Sequence, residues 1–466
     1  MTDRASGVPS PVLRIVREFA LIAGGQSVAA FGGIVGVRLL TQALSPTIYG
    51  EVALGMTLAL LVQQTMLSPL SVAFLRFFSP AREARTIGAY SKAVRRLLLQ
   101  ASIAVAVLAV ACTIGLVGVA HAEWVGVVLA ATALSLFSGY NVALDNIQNA
   151  ARHRLLVVVH QIANQWARFL VALALIVTFQ KSSGMVLVAY ALVSAATLFS
   201  RTLFLGKRLG AHSDTANNSP EAAHEMVARM RRYARPFATW GVFTWAFEAS
   251  GPWALQLSSG TTGVGLYAAL WQIGQYPIVL LADAIATTVA PIVFARAGDG
   301  SDQLRLKDAQ RMNAFVVGSM FTIAIAATFA GHVFQDRIVA LLVGPEYRAI
   351  APLLPWAILA GGLFGCAQVA VLRILMSADT RVLIAPKIGT AVAGVVLKVG
   401  GAYLMGLRGV VAASVIFSLM YLVWVVTLNR RVTERPTRRL RWLGLRWGAP
   451  TIARKRGDAH PYGVDG

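Results

Sequence analysis

The chain has 466 residues, of which 57% are hydrophobic and only 13% are charged, and its mean hydropathy is +0.65. Soluble domains carry about 25% charged residues, so the composition excludes an ordinary soluble domain and indicates a protein of the lipid bilayer. The formal net charge is +22, which in a soluble protein would suggest nucleic-acid binding. In a membrane protein this excess is first tested against the enrichment of Lys and Arg in cytoplasmic loops.

The first apolar run begins near residue 19 and follows a basic N-terminus. It is too long for a signal peptide and no small-residue cleavage site follows it, so we interpret it as a retained membrane span. The two cysteines, Cys112 and Cys366, lie inside apolar runs. They predict neither a disulfide framework nor a cysteine-based metal site.

Twelve stretches have the length of about 20 mostly apolar residues that crosses the hydrocarbon core. The sequence therefore predicts an all-α polytopic membrane protein with about twelve transmembrane helices. Their approximate limits are 19–42, 50–77, 97–120, 124–146, 155–179, 184–205, 237–257, 264–294, 313–335, 351–376, 382–404 and 409–428. Glu248 interrupts the seventh stretch, and the eighth is long enough to tilt or to kink near Pro277.

Lys and Arg residues set the orientation of these spans. With both termini in the cytoplasm, 31 of the 42 Lys and Arg residues fall in cytoplasmic segments, four fall in outside loops and seven fall within spans. This split follows the positive-inside rule, so most of the positive charge is a topology signal and no nucleic-acid partner is expected. The basic tail contains Trp442 and Trp447; contact with anionic lipid and simple solvation are both open interpretations.

Two segments of the chain repeat each other. LSPTIYGEVAL (44–54) has a counterpart in SSGTTGVGLYAAL (258–270), with Gly50 aligned to Gly265. Later segments also match, and each half holds six spans, so the halves are parallel pseudo-repeats. We predict a cytoplasmic N-terminus (1–18), an N-terminal six-helix lobe (19–205), a cytoplasmic linker (206–236), a C-terminal six-helix lobe (237–428) and a basic cytoplasmic tail (429–466). Pro46 and Gly50 are expected to end one helix and release the next on the outer face.

Four segments carry a family resemblance: RLLTQALSPTIYGEVAL (38–54), TTGVGLYAALWQIGQYPIVLLADAIATTVAPIVFAR (261–296), LLVGPEYRAIAPLLPWAILAGGLF (341–364) and MGLRGVVAASVIF (405–417). In this order the chain resembles the polysaccharide exporters, that is, the O-antigen and lipid-linked oligosaccharide flippases. Their superfamily also holds multidrug and toxin extruders and lipid II flippases. The resemblance implies a bacterial inner-membrane protein that moves an undecaprenyl-diphosphate-linked glycan to the outer leaflet by alternating access. It also implies work beside a glycan polymerase and a chain-length regulator.

Several cations lie within the predicted spans, where charge is costly and usually serves a cavity or a partner. Because guanidinium groups bind phosphate with paired donors, Arg38 and Arg76 are the first candidates for binding the diphosphate. The resemblance places their spans along the cleft. Arg168 and Lys398 are further candidates for contact with the glycan, and pairing with a neighbouring acid or carbonyl is the alternative. Gln26 is a candidate for contact with sugar hydroxyls, and a hydrogen bond between helices is its alternative. Charges near the cytoplasmic ends are expected to reach the headgroups as anchors: Arg76, Asp145, Arg201, Arg373 and Lys387.

Glu248 and Asp283 are the deepest acidic residues. They are predicted either to bind a coupling proton or sodium ion or to serve as counter-ions for Arg38 or Arg168. No other cofactor is expected, and no metal site is predicted.

The chain lacks the catalytic motifs of nucleotide hydrolases, metalloproteases and serine hydrolases, so no enzyme is predicted. Two alternatives to the flippase remain open. One is a cation-coupled multidrug extruder of the same fold, and the other is a membrane-embedded glycan polymerase, which the short outer loops disfavour.

Overall fold

The computed structural model describes residues 11–119, 121–151, 153–209, 219–297, 303–376 and 384–434. In those residues every regular element is helical and no strand occurs, as the sequence predicts for an all-α membrane protein. The helices are α1 (Pro11–Ala43), α2 (Pro46–Val62), α3 (Ser68–Glu83), α4 (Ile87–Gly118), α5 (Val125–Ala150), α6 (Arg154–Thr178), α7 (Ser183–Leu209), α8 (Pro220–Leu270), α9 (Tyr276–Ala297), α10 (Gln303–Val333), α11 (Gln335–Leu342), α12 (Leu354–Leu375) and α13 (Ile384–Glu434).

Two long helices reverse direction at a glycine. Gly260 in α8 has φ 73° and Gly406 in α13 has φ 56°, a backbone conformation that glycine adopts at little cost. Gly251 lies against the ring of Tyr267 across the first reversal. In the described residues, nine helical stretches are long and apolar enough to cross a membrane. With the two reversals and α1, they contain the twelve predicted spans.

The α1–α2 turn differs in detail from its prediction. Ser45 caps α2, with its hydroxyl accepting a hydrogen bond from the backbone N–H of Ile48, and Pro46 occupies the first helical position. Gly50, however, lies inside α2 rather than in the turn. Its role is therefore not to release the chain but to permit a close approach between helices.

That approach is the crossing of α2 with the second half of α8. A Cβ atom at Gly50 would overlap the backbone of Thr261, and one at Gly265 would overlap the backbone of Pro46. Beside the crossing, the hydroxyls of Thr47 and Thr262 lie 2.9 Å apart. The spacing between these threonines is 215 residues, which is the spacing of Gly50 and Gly265. The internal repeat is thus visible as a reciprocal contact.

The second and eighth spans share a further irregularity. A π-helical segment, Gln63–Leu67, joins α2 to α3, and another, Trp271–Gln275, joins α8 to α9. Each ends two residues before a proline, Pro69 or Pro277. Because proline lacks an N–H and its ring crowds the preceding turn, an α-helix cannot continue undisturbed there, and the wider π turn absorbs the misfit. The expected irregularity near Pro277 is present.

The segment predicted as a linker is only partly irregular. Residues 206–209 end α7, and α8 begins at Pro220. Val227, Met230 and Ala234 are buried in an apolar cluster with residues of α3 and α4. The first turns of α8 are therefore a packed helix, because their apolar residues recur at helical spacing. Residues 210–218 of the linker, 1–10 of the N-terminus and 435–466 of the tail lie outside the described part.

We expect Gly50→Ala and Gly265→Ala each to lower the free energy of unfolding by about 2 kcal/mol or more, because the added methyl group meets backbone atoms. Gly115→Ala in α4 is the matched control, since nothing lies within 4 Å of its added Cβ. Thermal unfolding in detergent, followed by tryptophan fluorescence, measures the difference. Equal unfolding temperatures for all three variants would contradict the crossing.

Candidate functional site

The first and seventh spans are repeat mates, and so are the second and eighth. Two equivalent seams between the halves follow from this symmetry. One lies between α2–α3 and the first half of α8, and we call it the α2–α8 seam. The other lies between α1 and the region of Trp271–Gln275 with α9, and we call it the α1–α9 seam. The α2–α8 seam is packed along its length and the α1–α9 seam only in its outer part, and this difference locates the candidate site.

The α2–α8 seam is closed along its length. The indole of Trp245 donates to the Thr57 carbonyl oxygen at 2.8 Å, and the indole of Trp253 donates to the Thr57 hydroxyl at 2.9 Å. Nearer the inner end, Gln64 donates to the Glu248 carboxylate at 3.2 Å. A Cβ atom at Gly241 would overlap the carbonyl of Gln64. Hydrogen bonds and a backbone contact thus hold the two lobes together on this side.

The outer half of the α1–α9 seam is also closed. Val37 of α1 is buried in one apolar cluster with Ala269, Leu270 and Ile273. Further toward the inner end, the Gln272 amide nitrogen would lie 3.9 Å from a Cβ atom at Gly33. The packed part of the seam therefore reaches about as far as the π-helical segment.

Inward of this packed part, several described side chains of both helices are exposed. Gln26, Val28 and Phe31 on α1 are exposed, and so are Leu281 and Asp283 on α9. α1 is held instead to α6, where its glycines pack under large side chains: Gly25 under Val158, Gly32 under Trp166 and Gly36 under Phe169. These exposed side chains make the space between α1 and α9, inward of their packed contact, the candidate site.

Arg38 binds backbone carbonyls of the opposite lobe. Its guanidinium donates to the carbonyl of Ala340 at 2.9 Å and to the carbonyl of Val343. These groups lie at the C-terminal end of α11, where carbonyls lack helical partners and carry negative partial charge. The side chain is half-buried. In this conformation Arg38, a candidate phosphate ligand, instead binds the backbone at the end of α11.

Arg76 is the candidate cation that is free. It lies on α3, its side chain is exposed, and among the described residues it makes no hydrogen bond or ion pair. Gln26 is likewise exposed on α1. Both lie in the inner parts of their spans.

Arg168 and Lys398 lie against aromatic rings within their own lobes. The Arg168 guanidinium is 4.7 Å from the ring centroid of Phe169 and 5.3 Å from that of Tyr190. The Lys398 ammonium is 3.9 Å from the ring centroid of Phe247 and donates to that residue's carbonyl at 3.2 Å. Only 5% of Lys398 is exposed. Ring faces stabilise these cations where no carboxylate is within salt-bridge distance in the described structure.

The two deep acids do not pair with Arg38 or Arg168. Glu248 accepts from Gln64 and has Lys398 as its nearby charge. Asp283 is exposed and, in the part of the chain that the structure describes, its carboxylate has no partner. The counter-ion arrangement expected from the sequence is therefore not the one that the structure contains. Both carboxylates remain accessible.

The prediction that Arg201 and Asp145 are anchors is wrong. Arg201 is only 1% exposed, and its guanidinium forms a salt bridge with Asp145. It also donates to the Asn141 carbonyl at 3.3 Å. The bridge joins α5 to α7 inside the N-terminal lobe, where two opposite charges cost less together than either would alone. The side chain of Lys387 lies outside the described residues.

Sequence reasoning missed the two tryptophans of the α2–α8 seam. Trp245 and Trp253 are eight residues apart on α8, so they share one helix face. Buried indole N–H groups need an acceptor. That spacing signals a seam with a polar partner, although it does not identify Thr57.

Among the described residues, no group of three His, Cys, Asp or Glu side chains could hold a metal ion. One surface pocket lies between the end of α9 and the beginning of α10, where Arg296, Arg305 and Asp308 line it.

Solved transporter structures share this fold. The lipid II flippase MurJ in an inward closed conformation matches with a TM-score of 0.65 and 10% identity, over 89% of this chain and 90% of that chain. A MATE transporter in complex with MaD3S matches with a TM-score of 0.56 and 15% identity, over 91% and 96%. An outward-facing MATE multidrug transporter of the MOP superfamily matches with a TM-score of 0.54 and 14% identity, over 92% and 97%.

No model of a known protein family matches the sequence, and no curated protein matches it. The structural matches show that the chain has the fold of the MATE transporters and MurJ, a polytopic all-α membrane fold, and that its structural neighbours are transporters and flippases.

We expect Arg201→Met to lower the free energy of unfolding by about 3–5 kcal/mol, because it leaves the Asp145 carboxylate buried without its partner. The double variant Arg201→Met/Asp145→Asn is expected to recover part of this loss. Arg76→Ala, at an exposed arginine, serves as the control. If Arg201→Met unfolds at the temperature of the unaltered protein, Arg201 is an anchor after all.

Proposed function

We propose that the protein is a flippase that moves an undecaprenyl-diphosphate-linked oligosaccharide or polysaccharide repeat unit across the bacterial inner membrane, for surface polysaccharide biosynthesis. The observation that carries the proposal is the exposure of side chains on α1 and α9 inward of their packed contact, beside a closed α2–α8 seam, from which we infer a sideways opening between α1 and α9. A lipid-linked substrate must keep its long hydrocarbon tail in the bilayer while its polar headgroup crosses. An open seam beside a closed one provides that arrangement.

The residues at this opening suit an amphipathic substrate. Val28 and Phe31 of α1, next to Trp166 of α6, and Leu281 of α9 are apolar and exposed. Gln26 provides an amide for sugar hydroxyls, and Arg76 provides a free guanidinium at the inner end. Guanidinium groups bind phosphate oxygens with two parallel hydrogen bonds. The fold shared with the lipid II flippase MurJ supports the same class of substrate.

The remaining candidate ligands are engaged in this conformation. Arg168 and Lys398 lie on aromatic rings, and Arg38 holds the outer loop. We propose that they contact the glycan or its diphosphate only after the lobes rearrange. A glycan polymerase and a chain-length regulator are the proposed partners on the membrane.

A second candidate function is favoured by Glu248 and Asp283. Two accessible carboxylates in the spans would suit a coupling proton or sodium ion, as a cation-coupled multidrug extruder requires. The fold shared with MATE transporters is compatible with this alternative.

Purified protein in liposomes separates the two functions. We expect a fluorescent undecaprenyl-diphosphate-linked glycan to cross the bilayer at least tenfold faster with the protein than without it. The water-soluble glycan lacking the lipid should not cross faster. Transport of ethidium that is driven by an imposed proton or sodium gradient, with no glycan movement, would instead establish the extruder.

Arg76→Ala is expected to reduce this glycan transport at least tenfold, because the diphosphate loses charge-assisted hydrogen bonds. Arg76→Lys should retain part of the activity, since the charge remains but the paired donors are lost. Arg95→Ala, at an exposed arginine of α4 on the cytoplasmic side, is the matched control. Unreduced transport by Arg76→Ala, at equal protein level, would remove Arg76 from the site.

A further inference from the structure

The outer closure of the α1–α9 seam depends on one loop. We call residues 340–347 the outer loop. It comprises the last turn of α11, Val343, Gly344 and the first residues of the 3₁₀ turn Pro345–Leu353, including Tyr347. It lies against the last two turns of α1. Since α1 belongs to the first repeat and the loop to the second, every contact between them joins the two lobes.

Three side chains make the hydrogen bonds of this contact. Arg38 donates to the carbonyls of Ala340 and Val343. The Thr41 hydroxyl accepts from the Gly344 N–H at 3.0 Å, and the Tyr347 hydroxyl donates to the Leu44 carbonyl at 3.1 Å. Arg38 and Thr41 are three residues apart on α1 and so lie on one helix face, and Leu44 follows directly after the helix.

The loop also fits α1 closely. A Cβ atom at Gly344 would overlap the carbonyl of Thr41, so only glycine permits this approach. Tyr347 is fully buried, and its ring meets that of Tyr49 edge to face, with centroids 6.0 Å apart. The contact therefore excludes a wide separation between the α1 end and the loop.

Each partner is fixed to its own lobe. α1 is held to α6 through Gly25, Gly32 and Gly36. The loop is held by the burial of Val343 and Tyr347 with Leu354 and Ile358 of α12. If α1 moves with its lobe as a rigid helix, a rotation that brings the inner part of α1 toward α9 moves the outer end of α1 away from the loop.

We propose that Arg38, Thr41 and Tyr347 form an outer latch, whose hydrogen bonds hold the outer side closed and break whenever the transporter opens outward. Arg38 is thereby a positioning residue that acts through the outer loop. Its acceptors are neutral carbonyls and its side chain is half-buried, so the latch can be released and reformed. The proposal is independent of which substrate is carried.

A cysteine pair reports the state of the outer side. Thr47 and Thr262 face each other across the lobes with their hydroxyls 2.9 Å apart. Thr47→Cys and Thr262→Cys, introduced after replacing Cys112 and Cys366 with alanine, are expected to form a disulfide under mild oxidation when the outer side is closed. Maleimide labelling of the remaining free thiols in liposomes gives the rate of cross-linking.

Removing the latch should slow this cross-linking. We expect at least a fivefold lower rate in Arg38→Ala and a smaller decrease in Thr41→Val and in Tyr347→Phe, which lacks only the hydroxyl. Arg38→Lys should restore part of the rate, because an ammonium can donate to the same carbonyls. Arg95→Ala, at an exposed arginine of α4 outside the latch, should leave the rate unaltered.

The outcomes separate the latch from the proposed substrate. Unaltered cross-linking in Arg38→Ala, Thr41→Val and Tyr347→Phe, with unfolding temperatures equal to that of the parent, would overturn the latch. Undiminished transport by the fully cross-linked protein would also overturn it, since the outer side would then not need to open. Latch-dependent cross-linking without glycan transport would support the latch and contradict only the proposed flippase function.

Discussion

The close crossing of α2 with the second half of α8 is the constraint on which the rest of the structure depends. At Gly50 and Gly265 the two helices meet backbone to backbone, and neither position accepts a side chain without displacing the other helix. Within a bilayer, where hydrocarbon surrounds both partners, such packing replaces the hydrophobic effect as the force between helices. The crossing places the repeat mates beside each other at the outer end and so fixes where the seams begin.

From that fixed end, the two seams differ in what fills them. The α2–α8 seam is filled by Trp245 and Trp253, whose indoles reach Thr57. Among the side chains that the structure describes, the α1–α9 seam has no equivalent large pair, and the glycines of the first span pack against α6. The two seams are formed by equivalent helices but contain different side chains, so one seam is closed and the other is only partly packed. This asymmetry, rather than any single charged residue, gives the cleft its direction.

The sequence predicts the spans well because long apolar runs and the distribution of Lys and Arg reflect the bilayer directly. The offset of 215 residues that aligns Gly50 with Gly265 also relates Thr47 to Thr262, but the sequence did not predict that these two segments contact each other. The fates of the charges were harder to predict. Arg201 and Asp145 are 56 residues apart and pair only through the packing of α5 on α7. The acceptors of Arg38 are backbone carbonyls, which every residue has and no motif marks. Charge type therefore indicates that a partner exists, but tertiary packing decides which one.

The π-helical segments interrupt the two crossing helices between the outer crossing and their inner halves. Both lie directly inward of the crossing, in the two helices that form it, and each precedes a proline that removes a helical hydrogen bond. Helices bend most readily where the i to i−4 ladder is interrupted. Gln64, in the first segment, faces the closed seam, and Gln272, in the second, faces the boundary of the open one. We therefore expect the inner halves to change their angle at these segments, whereas opening of the outer side would separate Gly50 from Gly265 as well as α1 from the outer loop.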